Sequence, residues 1–453
     1  MIYLILVAFV AALGGFLFGY DTAIISGTIG FVKTKFELDT VAEGWFVSSA
    51  LAGCIFGVMF TGLINDWFGR KKALLLSGLL FLISAIGCML APSLSTLIIF
   101  RLIGGIGVGV ASMTSPLFIA EISPPHLRGR LVALYQLAIT VGILLAYFAN
   151  ASLLEMSATS YETELFSWVI QDEVWRAMFG SECVPALLFF VLVLFIPESP
   201  RWLTLKQKDE RAFGILARIK GADRAEQEMR EIKDTIAHEA APIQTLLKPG
   251  IRKPLIIGAS LAFLTQICGV NAIIYYGPHI LEEAGFALSD ALGGQVIIGI
   301  VNVVFTLIAI WKIDQLGRRP LLIYGVSGIM FSLIMVGLLF FFEVTSGFWL
   351  MGFILLFIAS FAFSFGPVIW TLLSEIYPIN VRGTAMSIAT LTLWVGTALV
   401  GQVVPWMLET LTPAGTFWVF SLSCVTALYL GIKVLPETKG KTLEEIEKFW
   451  LKG

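Results

Sequence analysis

The sequence predicts an all-α membrane protein, with twelve transmembrane helices in two pseudo-symmetric halves of six and a helical linker between them. Three observations carry this. Composition is the first: the 453 residues are 57% hydrophobic and 14% charged, with a mean hydropathy of +0.88, which describes a chain solvated by lipid rather than two or three soluble domains. The second is a series of apolar stretches, each near the roughly 20 residues that a bilayer demands. The third is a pair of charged motifs that occurs once in each half.

The stretches run, in order, over 4–30, 44–64, 73–92, 95–119, 131–150, 176–196, 254–278, 292–311, 321–342, 348–373, 383–408 and 415–435. An interior N-terminus puts the loops holding Arg70, Arg128, Arg201–Arg252, Arg318 and Arg382, and the C-terminal tail, on one side. Lys33 and Lys35 then fall in an exterior loop. By the positive-inside rule the common side is the cytoplasm, and an odd helix count would break the pattern. The N-terminus lacks a basic region and a clear cleavage site, so 4–30 reads as a retained first helix rather than a signal peptide. The boundaries divide the chain into an N-terminal half (1–196), a linker (197–253), a C-terminal half (254–435) and a cytoplasmic tail (436–453). Within the linker, Phe213, Leu216, Ile219, Met229, Ile232 and Ile236 recur at near-helical spacing among charges, until Lys248-Pro249-Gly250 ends the pattern. The acidic exterior loop at 151–175 (Glu155, Glu162, Glu164, Asp172, Glu173) reads as a solvated cap.

Asp66-Trp67-Phe68-Gly69-Arg70-Lys71-Lys72 returns in the second half as Asp314-Gln315-Leu316-Gly317-Arg318-Arg319-Pro320. Glu121-Ile122-Ser123-Pro124-Pro125-His126-Leu127-Arg128-Gly129 returns as Glu375-Ile376-Tyr377-Pro378-Ile379-Asn380-Val381-Arg382-Gly383. The glycine allows a tight turn, and the cations face carboxylates or helix C-termini. A third pair, Glu198 and Arg201 in Pro197-Glu198-Ser199-Pro200-Arg201, is echoed by Glu437 in Pro436-Glu437-Thr438. Ordinary positive-inside anchoring needs no such carboxylates. Their duplication favours a cytoplasmic latch formed only in an outward-open state, and a parallel duplication with a site between the halves is a secondary-transporter architecture.

These motifs resemble the sugar porter branch of the major facilitator superfamily, over essentially the whole chain. The resemblance implies the major facilitator fold, a monosaccharide (pentose or hexose) as substrate, and a central site reached alternately from either side.

Two ionisable residues, Asp21 in helix 1 and Arg101 in helix 4, are read as lying inside the spans, where a charge costs several kcal/mol on most scales and marks a functional candidate. In a nested repeat the two helices can face one another. From the residues alone, a proton-coupling pair and a static ion pair are both open. Phe18-Gly19-Tyr20-Asp21 resembles the helix 1 motif of proton-coupled sugar symporters, which implies symport. The alternatives are a facilitative uniporter with a structural Asp21–Arg101 pair, or a non-transporting sugar sensor. Only residues 436–453 follow the last helix, which argues against a sensor's long tail. Gly104, Gly105, Gly107 and Gly109 lie in a span with no preceding strand and read as helix packing rather than a nucleotide loop.

A sugar site needs amides and hydroxyls for its hydroxyl groups and aromatic planes for its C–H face. The resemblance assigns that role to Gln136, to Gln266 and Asn271 in helix 7, to Asn302, and to Trp370 and Trp394, with Phe18 and Tyr275 closing over the ligand. Glycine and proline suggest that helices 7 and 10 are locally broken, with a gate at Tyr275-Tyr276 hinging near Gly277-Pro278. Thr265, Leu393 and Thr397 depart from amides common in the family, which bears on selectivity. The five cysteines read as packing residues and His126, His238 and His279 as loop histidines. No enzyme activity, cofactor, metal or nucleic-acid partner is expected. The expected partners are a monosaccharide, a proton and the lipid bilayer, the expected working unit is a monomer, and the expected location is a bacterial inner membrane.

Overall fold

A computed structural model describes residues 2–159, 163–238, 250–344, 347–377 and 381–439, with isolated positions at 246, 248, 441, 445, 446, 449 and 450. Among these there is no strand. The first half contains α1 (Ile2–Phe36), α2 (Thr40–Phe68), α3 (Arg70–Leu90), α4 (Leu94–Ile122) and α5 (Pro125–Met156). A short α6 (Glu164–Phe166) then runs into a π-helical turn at Ser167–Asp172, and the sixth span comprises α7 (Val174–Ser181) and α8 (Cys183–Phe195). The linker forms α9 (Pro200–Leu205), α10 (Asp209–Lys220) and α11 (Ala222–His238). The second half contains α12 (Arg252–Ile267), α13 (Val270–Glu283), α14 (Leu288–Leu316), α15 (Arg318–Phe341), α16 (Gly347–Phe363), α17 (Phe365–Ile376) and α18 (Arg382–Tyr429).

Eleven stretches of the described residues are long and apolar enough to cross a membrane, and the last of them holds two spans. The 48 residues of α18 would extend about 72 Å at 1.5 Å each, over twice the ~30 Å hydrocarbon core. Thr412, at φ +63°, breaks the helix before Pro413, so the count is twelve. Two other spans are interrupted, as the sequence suggests. Gly269 takes the left-handed region (φ +89°) between α12 and α13, a conformation that glycine adopts without a Cβ penalty, and Ser364 (φ −125°, ψ −86°) separates α16 from α17. The sixth span stays helical from Val174 to Phe195 but loses a backbone hydrogen bond in its middle. Pro185 has no N–H to offer the Ser181 carbonyl, while Glu182 keeps helical angles (φ −65°, ψ −21°).

The glycines of α4 are packing surfaces. A Cβ on Gly105 would stand 1.9 Å from the Ala50 carbonyl oxygen, so α2 and α4 meet backbone to backbone. The linker helices bury Trp202, Leu203, Ala212, Leu216, Ala225 and Met229 against one another, as their amphipathic pattern requires. The 151–175 loop is more than a solvated cap. Val169 and Ile170 are buried, and the Arg176 guanidinium lies over both Trp168 (4.4 Å) and Trp175 (4.3 Å) while donating to the Met89 and Ala91 carbonyls. Lys33 and Lys35 belong to the last turn of α1 rather than a loop, and pair with Glu43 (2.7 Å) and Glu173 (2.6 Å). His279 likewise sits within α13, 3.6 Å from Glu283. The side chains of His126, His238, Asp314, Ile236 and Arg382, together with Glu162, Pro249, Pro378, Ile379, Asn380 and Gly440, lie outside the described residues.

Candidate transport site

The face carrying Arg70 and Arg318 holds two nearly superimposable charge networks. Gly69 (φ +93°) and Gly317 (φ +91°) make the turns, which places each following arginine at the start of a helix. Arg70 donates through Nη2 to Glu121 Oε1 (2.8 Å), and Arg318 donates through Nη2 to Glu375 Oε1 (2.9 Å). The backbone N–H groups of Arg70 and Lys71 donate to Glu198, and those of Arg318 and Arg319 donate to Glu437. Ser199 Oγ donates to Glu121 (2.5 Å), matched by Thr438 Oγ1 to Glu375 (2.6 Å). Lys71 closes the Leu194 carbonyl and Arg319 those of Gly431 and Ile432, so each half ties down the C-terminus of its last helix. Burial pushes the Glu198 carboxyl above its usual range despite the N–H groups of Ser199, Lys71 and Arg70. Asp66 stands 3.9 Å from Arg70 and is mostly exposed. Arg128 is exposed and Arg201 half-buried.

Among the described residues, these bonds join helices within one half. They are intact while the opposite face is closed. There, Gln402 of α18 accepts from Ser48 Oγ (2.8 Å) and donates to the Val41 carbonyl (3.2 Å), and Thr40 donates to Glu409. The expectation of latches restricted to an outward-open state is therefore corrected. Short charge-assisted bonds around a turn need only their own half to be folded.

Mid-membrane, Arg101 Nη1 donates to Asp21 Oδ1 (3.3 Å), with both residues buried at 3% and 4% exposure. The reading of two intramembrane charges is incomplete. Glu182, 1% exposed within the sixth span, is a third, and its Oε1 has no partner among the described residues. Its neighbour Ser181 shares a 2.8 Å hydrogen bond with Tyr20, beside Asp21, and Phe179 of the same helix lies under the Arg101 guanidinium at 5.6 Å. A lone carboxylate inside the apolar stretch 176–196 was the signal in the sequence.

In the second half, the break at Gly269 brings Gln266 and Asn271 together. Asn271 Nδ2 donates to Gln266 Oε1 (2.6 Å), Gln266 Nε2 donates to Thr265 Oγ1 (3.0 Å), and Thr397 Oγ1 lies 3.0 Å from Gln266 Oε1. Thr265 and Thr397 are thus not simple losses of amides; they orient the one that remains. Phe18 meets Trp394 across the halves, with ring centroids 5.1 Å apart. Gln136 of α5 faces Gly366 of α17, where a Cβ would lie 3.8 Å from its Nε2. Asn302 is buried on α14, and Trp370 is half-buried one turn beyond Gly366.

Tyr275 and Tyr276 are buried at the closed face, and Tyr276 Oη donates to the Gly401 carbonyl (2.7 Å). α13 is helical through Gly277 and Pro278, and the interruption of this span lies at Gly269. Pro278 instead frees the Ile274 carbonyl, which accepts from Tyr147 of the first half (3.2 Å). Above the tyrosines lies a cavity of about 310 Å³, lined in part by Lys33, Glu43 and His279.

The family model "Sugar (and other) transporter" matches residues 7–450. The chain is 42% identical to the arabinose-proton symporter of Bacillus subtilis, covering 99% of this chain and 96% of that one. It is 38% identical to the D-xylose-proton symporter of Escherichia coli, with the same coverages. Among solved structures it is similar to the xylose transporter XylE from E. coli in a partially occluded inward-open conformation, with a TM-score of 0.86, 36% identity and coverage of 98% of this chain and 100% of that one. The sugar-bound form of that transporter gives 0.82 at 37% identity, with coverage of 99% of each chain. These matches extend over nearly the whole chain, and it belongs to the sugar transporter family, as a sugar porter of the major facilitator superfamily and not an enzyme.

Proposed function

We propose that the protein imports a pentose or hexose together with a proton, by alternating access across a bacterial inner membrane. The observation that carries the coupling is the buried Asp21–Arg101 pair, with Glu182 nearby and lacking a partner for one oxygen. Protonating Asp21 removes its attraction for Arg101, which changes the charge of a dry site within one half and so the balance between states. The symporter names of the arabinose and xylose relatives support this reading. The positive-inside rule makes the Arg70/Arg318 face cytoplasmic and the closed face exterior.

In this reading Gln136, Gln266, Asn271 and Asn302 hydrogen-bond the sugar, Trp370 and Trp394 cover its C–H face, and Phe18 and Tyr275 close over it. The latch residues Asp66, Arg70, Glu121, Arg128, Glu198, Arg201, Asp314, Arg318, Glu375, Arg382 and Glu437 hold the cytoplasmic helix ends. One chain supplies both halves of the site, so the working unit is a monomer in lipid. Uptake into proteoliposomes with a panel of pentoses and hexoses tests this. Accumulation above equilibrium should require an inward proton gradient. Equilibration without accumulation would make the protein a uniporter, and sugar binding without uptake would make it a sensor.

A further inference from the structure

Gln295 of α14 is 1% exposed, and neither its Nε2 nor its Oε1 has a hydrogen-bond partner. Its amide fills the notch left by Gly277, where a Cβ would lie 1.7 Å from Nε2, and Leu281, one turn further along α13, packs beside Gly294. The amide is therefore enclosed in the α13–α14 seam of the closed exterior face, with no protein partner at either end. An amide buried with neither end satisfied is a cost that apolar packing does not remove. The same stretch of α13 carries Tyr275 and Tyr276 and is held to the first half through Ile274 and Tyr147.

We propose that Gln295 is a positioning residue of the exterior gate, which opposes closure because its amide is unsatisfied only when α13 lies against α14. When α13 moves away, the amide meets water or a sugar hydroxyl and the cost disappears. Gln295 also precedes Asn302 by two helical turns, so the two share a face of α14, with Gln295 toward the exterior. A sugar entering through the gate would pass it first. This rests on reading α13 as the gate.

The test uses the full-length protein in nanodiscs, with its native cysteines replaced and spin labels at Lys35→Cys and Glu283→Cys. Distances between the labels report the gate. Gln295→Met keeps the volume and removes both polar ends. Without sugar it should raise the ratio of short to long distances about tenfold, and the thermal midpoint should rise. Gln295→Leu should act in the same direction, and Gln295→Asn should stay nearer the parent. An unchanged distribution, or one shifted to longer distances, in a folded Gln295→Met variant overturns the proposal. A single distance in the parent with and without D-xylose, L-arabinose and a pH change would remove the gate itself, and the proposal with it.

Discussion

The two halves share their basic-face networks almost atom for atom, yet their centres have nothing in common. In both, an arginine meets a glutamate from another helix and a second glutamate accepts two consecutive backbone N–H groups. In the first half the middle holds Asp21, Arg101 and Glu182; in the second it holds Thr265, Gln266, Asn271 and Thr397. Helix ends in any half need their orphan N–H and C=O groups closed, so the latches stay alike. The centre is free of that demand, and there the halves differ: buried ionisable groups occur in the first, and a joined Thr265–Gln266–Asn271–Thr397 cluster in the second.

The largest expected effect tests that division directly. Asp21→Asn should abolish sugar accumulation driven by a pH gradient while leaving sugar exchange across proteoliposomes. Undiminished accumulation would return the ion pair to a purely structural role. On the other side, Gln266→Ala should weaken sugar binding by about 10- to 100-fold, the equivalent of ~1–3 kcal/mol for unpaired polar groups, without changing the proton requirement. Thr397→Val, which removes only an orienting hydroxyl, should cost roughly fivefold. Equal losses in both variants would mean that Thr397 itself ligands the sugar.

The latches are alike in pattern but not in burial. Arg70 and Glu121 are 7% and 5% exposed, whereas Arg318 and Glu375 are 12% and 23% exposed. Arg70→Ala should therefore destabilise by about 3–5 kcal/mol, the range for breaking a buried pair. Arg318→Ala should cost less, about 1–3 kcal/mol. Equal losses in the two variants, read from thermal midpoints in detergent with chemical denaturation for scale, would mean that the symmetry extends to energetics.

The smallest effect concerns acid. Burial raises the Glu173 carboxyl, but hydrogen bonds from Lys35 and Arg176, with their charges, outweigh it and leave its pKa below the usual 4.5. A lowered carboxylate contributes stability that is present above 4.5 and lost as pH falls through the folded value. Glu198, raised instead by burial, has the opposite sign: its contribution falls as pH rises from 4.5 through its folded value. Glu173→Gln should accordingly flatten the loss of thermal stability below about pH 4.5, while Glu198→Gln should not. An identical acid limb in Glu173→Gln would remove the Lys35–Glu173–Arg176 cluster as its source.

How much of the site was legible depended on whether a residue's role is local. Asp21 and Arg101 stand out because any charge among apolar residues does. Glu182 carries the same signal, within the apolar stretch 176–196. The amides Gln266 and Asn271 were recognisable, but not the partnership of Thr265 and Thr397 with them, since a hydroxyl in a helix ordinarily bonds its own backbone. Gln402, Tyr147 and Gln295 gave no sign at all. Their importance lies in what faces them from another helix.

The sequence by itself determined the twelve spans, their duplication, the basic face and the residue types at each centre, because hydropathy, charge and turn chemistry act over a few residues at a time. Only the tertiary structure decided that the described latch bonds close within halves, that Glu182 is buried within span 6, that α13 is continuous through Pro278, and that an amide at 295 is enclosed without a protein partner. Each of those is a pairing across helices. A hydrogen bond or its absence is a property of two surfaces brought together, and the chain states only one of them at a time.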